Sequence, residues 1–130
     1  MQYDEFLAAV RQRAALADNR EADRTTKIVL STLGRRLAGD EPRDLAAQLP
    51  EQLKEPLLER TGPAENRDSF DDFLDRIAEQ EGPDTDPETA REHADAVVGT
   101  MAQFVTPGEL EDLRSQLPSS YAPLFGRLSA

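Results

Sequence analysis

The chain has 130 residues, a formal charge of −11, 5% aromatic residues and no cysteine. It is long enough to bury a single core without covalent staples, while the missing cysteines exclude disulfides, thiolate metal sites and cysteine nucleophiles, and no run approaches the roughly 20 apolar residues that span a bilayer. The charge is uneven, −2 over residues 1–65 and −9 over residues 66–130, so the second half repels phosphate backbones and anionic lipid, and neither nucleic acid nor membrane is expected as a partner.

Taken in chain order, the apolar residues recur at the helical period rather than in strand alternation. The first predicted helix, "YDEFLAAVRQRAA", aligns Tyr3, Phe6, Leu7, Val10 and Ala14 on one face. The second, "READRTTKIVLSTLGRRLAG", aligns Ala22, Thr26, Val29, Leu30, Leu33 and Leu37, with Asp18 or Asn19 as N-cap and Gly39 as its stop. "PRDLAAQL" is a short third helix opening on Pro42. "PEQLKEPLLER" is a fourth, interrupted near Pro56, its first half a turn. Residues 61–68 are polar and rich in helix breakers, and read as a linker.

Beyond the linker the order restarts. Phe70, Phe73, Leu74 and Ile77 repeat the spacing of Tyr3, Phe6, Leu7 and Val10 at an offset of 67. Ala90, Ala94, Val97, Val98, Met101 and Val105 repeat the second helix at an offset of 68, after Asp86 as N-cap and Pro87 at the first helical position. Thr106 and Glu109 stand at capping-box spacing before "LEDLRSQL". "PSSYAPLFGRL" closes the chain as a last core helix, with Tyr121, Leu124, Phe125 and Leu128 matching Leu53, Leu57 and Leu58. The expected architecture is all-α: one domain over residues 1–130 built of two tandem four-helix repeats, 3–60 and 69–128, packed about a pseudo-twofold axis and joined by the linker 61–68.

The duplication keeps one phrase nearly intact, "DLAAQLP" and "DLRSQLP". Leu45 and Leu49, like Leu113 and Leu117, lie one helical turn apart and anchor a corner that the following proline turns. Asp44 with Gln48, and Asp112 with Gln116, form the polar pair that both copies retain. Gln is read as satisfying orphan backbone groups at the corner and Asp as favouring the positive first turn; the functional alternative makes these four residues a polar ligand contact.

The aromatic-led "YDEFLAAV"/"FDDFLDRI", then "IVLSTLGRRLAG"/"AVVGTMAQFV", then "DLAAQLP"/"DLRSQLP" resemble a prokaryotic family of uncharacterised proteins, domain of unknown function 2267. The resemblance covers nearly the whole chain and implies an all-helical duplication with a Leu-Pro signature in each half. It brings no activity, substrate or catalytic residue. The second half departs from the first where "GRRL" becomes "AQFV".

Catalytic signatures are sparse. The one histidine, His93, aligns with Thr25 rather than with a second histidine, and Ala90 stands where a Glu-x-x-His metal helix needs its carboxylate. Glu88 and Glu92 lie one turn apart without a partner motif, so His93 is read as an exposed side chain among acidic neighbours. Asp84, Asp86 and Glu88 imitate the start of a calcium loop, but Thr89 replaces its glycine and Asp95 its bidentate Glu. Arg35 and Arg36 are read as complementing a helix C-terminus rather than gripping an anion.

The sequence therefore predicts a non-enzymatic protein-interaction or regulatory module without cofactor, metal or catalytic residues, its partner another protein or a second copy of itself. The alternatives are a carboxylate-based metal-binding or hydrolytic protein, and a small-ligand binder in the groove between repeats. "MQYDEFLAAV" carries neither a basic nor a greasy leader, which points to the cytoplasm. Only Lys27 and Lys54 among the 15 basic residues are lysine, a bias that a salt-rich cytoplasm or a GC-rich genome would each produce.

Overall fold

The computed structural model describes residues 2–37, 41–58, 69–117, 121 and 124, and it is all-helical: no strand occurs among the described residues. Helix α1 spans Gln2–Ala14, α2 Asn19–Gly34, α3 Glu41–Ala47, α4 Lys54–Leu58, α5 Phe70–Glu81, α6 Pro87–Met101 and α7 Pro107–Ser115, with a 3₁₀ turn, Glu51–Leu53, leading into α4.

Local chemistry explains where each helix starts and stops. In α1, Asp4 and Glu5 occupy the first turn and Arg11 and Arg13 the last, matching the helix dipole at both ends. It closes on Ala15 in the left-handed region, φ 55°, with the Leu16 N–H donating to the Arg11 carbonyl across the turn. Asp18 caps α2, accepting from the Glu21 N–H at 2.9 Å, and Glu21 in return accepts from the Ala17 N–H. Helix α5 opens on a complete capping box: Ser69 accepts from the Asp72 N–H and Asp72 from the Ser69 N–H. Asp86 and Thr106 cap α6 and α7, each with proline at the first helical position.

Two boundaries differ from expectation. Helix α2 ends at Gly34 rather than running on toward Gly39, which lies outside the described residues; Arg36 and Leu37 instead close three-residue turns onto the Leu33 and Gly34 carbonyls. At this end α2 lies close on α4: a Cβ at Gly34 would stand 2.6 Å from the Leu57 carbonyl oxygen. Pro56 does not interrupt its helix, because α4 starts at Lys54 and Pro56 falls in the first turn, where N–H groups have no intrahelical partner. The linker 61–68, Pro118, Phe125 and Leu128 lie outside the described residues, whereas Tyr121 and Leu124 are buried.

The predicted helical faces are the core. Phe6, Val10, Val29, Leu30, Leu33, Leu37, Phe73, Ile77, Val97, Val98 and Met101 are fully buried, as are Leu45, Leu57 and Leu113, and every helix contributes to one cluster. Each such side chain contributes about 1.5–3 kcal/mol of transfer free energy. Helix α1 packs on α2 and on α6, α5 packs on α6 and on α2, α2 rests on α4, and α3 touches α4 and α7.

Several contacts recur at the sequence offset with altered chemistry. Phe104 packs against Phe6 in a tilted pair with ring centroids 5.1 Å apart, and Arg36, 68 positions before Phe104, lies over Phe73 at 5.5 Å. Tyr3 donates to Asp23, and at the corresponding places Arg91 lies 5.9 Å over Phe70. Asp23 pairs with Lys27, whereas Arg91 pairs with Asp95, the reversed polarity.

Candidate functional site

The open space nearest to this framework is a groove of about 340 Å³, lined by Lys27, Ile28 and Ser31 of α2, Gln52, Glu55 and Pro56 of the 3₁₀ turn and α4, and Gln80 of α5. Its walls exist because Gly34 lets α2 approach the α4 backbone at one end while α5 crosses at the other. Ile28 and Pro56 give it apolar surface; the remainder is hydroxyl, amide and charge.

The polar groups are not equally available. The Lys27 ammonium is bound to Asp23 at 3.2 Å. The Gln80 side-chain NH₂ donates to the Thr32 hydroxyl at 2.7 Å and to the Arg76 carbonyl at 3.1 Å, which uses both its hydrogens and leaves the amide oxygen as acceptor. Among the described residues Glu55 has no ion-pair partner. The groove therefore presents acceptors in excess.

Behind Gln80 lies a second polar cluster. Glu81, at the end of α5, takes His93 Nδ1 at 2.8 Å and the Thr25 hydroxyl at 3.2 Å, joining α5 to α6 and to α2. Arg24 caps the same helix end, donating to the Gln80 and Glu81 carbonyls. The sequence reading of His93 as exposed is thus corrected: its side chain is 12% and that of Glu81 6% exposed. Its partner lies 12 residues back on another helix, beyond what local acidic neighbours indicate. Thr25 and His93, 68 residues apart, meet on this one carboxylate.

The four residues of the repeated corners go separate ways. Gln48 accepts a hydrogen bond from the Thr106 backbone N–H at 2.8 Å, so the orphan group it satisfies belongs to α7 rather than to its own corner. Asp44, Asp112 and Gln116 are exposed. The Gln48 bond also halves the predicted capping box: Thr106 accepts from the Glu109 N–H, but Gln48 takes the N–H that Glu109 would have bound, and one Glu109 carboxylate oxygen is buried without a hydrogen bond. Arg36 is fully buried, donating to the Thr32 carbonyl at 2.6 Å in the last turn of α2, as a cation at a helix C-terminus should.

The calcium-like run is a helix cap: Asp86 accepts from the Thr89 N–H at 2.8 Å, and that bond holds its carboxyl below the ordinary range. Among the described residues no three His, Asp or Glu side chains gather as a metal-binding group, and no helix is long and apolar enough to cross a membrane.

Sequence reasoning offered a groove between repeats as an alternative but named none of the residues that line this one. Gln80 lies 67 positions after Arg13, and Ser31 68 positions before Gly99, so at the predicted offsets the chemistry changes and no motif marks the place. The family model described as an uncharacterized conserved protein (DUF2267) matches residues 3–124. No curated protein matches the chain.

Proposed function

The chain belongs to the DUF2267 family, and from that premise we propose that it is a non-enzymatic recognition module, its partner surface the groove between α2, α4 and the end of α5. The observation that carries this reading is the groove's unused hydrogen-bonding capacity: a fixed Gln80 acceptor and an unpaired Glu55 beside Ile28 and Pro56. Such a mixture of apolar floor and few placed polar groups is the usual make-up of a binding site. The single histidine is bound to Glu81, which also accepts from the Thr25 hydroxyl, an arrangement that favours packing over chemistry. A cytoplasmic location, with protein rather than nucleic acid as partner, belongs to the same proposal.

The architecture we infer is two tandem repeats, 3–60 and 69–128, related by a pseudo-twofold axis. The paired contacts Phe6–Phe104 and Phe73–Arg36, each joining one half to the other, support it, as do Tyr3–Asp23 and Phe70–Arg91, each within its own half, because equivalent positions meet while their chemistry differs. On this reading the groove lies between elements of both repeats.

The test is capture from native lysate with the full chain and with Gln52→Trp, a bulky change on an exposed groove residue. The wild-type chain is expected to retain a partner that the variant loses while its helical circular dichroism is unchanged. Retention of the same partner by Gln52→Trp would overturn the groove reading.

A further inference from the structure

We propose that the groove takes a guanidinium group, the arginine side chain of a partner protein. This deepens the recognition reading and rests on it and on the equivalence of the two halves. Two independent observations lead to it.

The first is the chemistry of the walls. A ligand must complement what is left open, and among the described residues that is the Glu55 carboxylate and the Gln80 amide oxygen, with the Gln52 amide and the Ser31 hydroxyl beside them, so that acceptors outnumber donors; the cation that lines the groove, Lys27, is bound to Asp23. The Arg76 carbonyl fixes the Gln80 orientation, since only the NH₂ can face a carbonyl oxygen. A planar donor with several N–H groups fits two such acceptors, whereas an anion would meet Glu55 unshielded.

The second is what stands at the equivalent place in the other half. Gln80 corresponds to Arg13 at an offset of 67, and Ser31 to Gly99 at 68. There the Arg13 guanidinium lies against α6: a Cβ built on Gly99 would stand 2.9 Å from Arg13 Nη1 and 3.6 Å from Cζ. One half thus carries its own guanidinium on this helix face, and the other replaces the arginine by a shorter amide and leaves a groove. The net charge of −11 draws cationic partners toward the protein. A partner arginine would occupy the position that Arg13 occupies in the counterpart.

The experiment titrates the full chain with N-acetyl-arginine amide while following the side-chain amide resonances of Gln80 and Gln52. N-acetyl-citrulline amide is the neutral isostere, and free arginine and guanidinium chloride are separate arms. Saturable shifts at Gln80 and Gln52 with the arginine amide, none with citrulline at equal concentration, and weaker binding of free arginine, whose carboxylate meets Glu55, are expected. Glu55→Gln, an exposed change, should weaken binding roughly tenfold. Equal binding of citrulline, or an unchanged affinity in Glu55→Gln, overturns the proposal. If the arginine amide fails to bind while Gln52→Trp still loses a native partner, this inference falls and the recognition reading stands; if Gln52→Trp also keeps its partner, both fall.

Discussion

The Gln48 side-chain oxygen accepts from the Thr106 backbone N–H at 2.8 Å, joining the end of α3 to the start of α7 across 58 residues of sequence. It satisfies one of the orphan donors of a helix N-terminus from outside that helix. Gln48→Ala should therefore lower stability by about 1 kcal/mol, and Gln48→Glu, which keeps the acceptor and adds charge near a positive helix end, should recover most of it. Urea unfolding midpoints measure both. Equal loss in the two variants would mean that the contact acts through packing and not through the acceptor.

Glu81 holds His93 at 2.8 Å and Thr25 at 3.2 Å with both members of the pair largely out of solvent. Removing one partner leaves the other's polar atoms without theirs, so His93→Ala and Glu81→Ala should each cost about 2–4 kcal/mol. The double variant should cost less than the sum of the two, and a thermodynamic cycle from denaturation curves reads that coupling directly.

Two glycines make opposite predictions. Alanine at Gly34 would meet the Leu57 backbone oxygen at 2.6 Å, which cannot move without shifting α4, so Gly34→Ala should destabilise by about 1–3 kcal/mol. At Gly99 the nearest atom is Arg13 Nη1, the end of a flexible side chain, so Gly99→Ala should be neutral or gain up to about 1 kcal/mol of helix propensity. Thermal unfolding of the two variants side by side checks the contrast.

Tyr3 gives the pH dependence. Burial first, then the hydrogen bond it donates to Asp23, then the negative charge of Asp23, push its phenol well above the ordinary tyrosine range. A raised pKa means that the protonated form is favoured in the folded state. Its contribution is full below the unfolded value near ~10 and is lost as pH rises beyond it. Stability should fall in that alkaline window, and Tyr3→Phe should flatten the fall while lowering stability at neutral pH. Unfolding midpoints measured across the window test both parts.

The core was legible because helical periodicity is itself a statement about faces: Ala22, Thr26, Val29, Leu30, Leu33 and Leu37 are all fully buried. Caps at Asp18, Asp86 and Thr106 were legible for the same reason, since donor and acceptor lie within three residues. What the sequence did not reveal depends on where one helix lies on another. Gln48 reaching Thr106, Glu81 receiving His93 and Thr25, and Arg36 turning inward over Phe73 are contacts between distant elements that no local pattern encodes. The close approach of Gly34 to the Leu57 backbone, 23 residues further on, is likewise a contact between elements that no local pattern encodes. A groove between repeats was among the sequence alternatives, but its lining residues were not legible, because Ile28, Gln52, Glu55, Pro56 and Gln80 form no motif and meet only through packing.

Hydrogen exchange of the full chain, alone and with the partner it retains from native lysate, tests the recognition groove most directly. Protection concentrated on residues 28–31 of α2, 52–56 around the start of α4 and the Gln80 end of α5 is the predicted result. Protection confined to α3 and α7, or spread evenly over the surface, would contradict it.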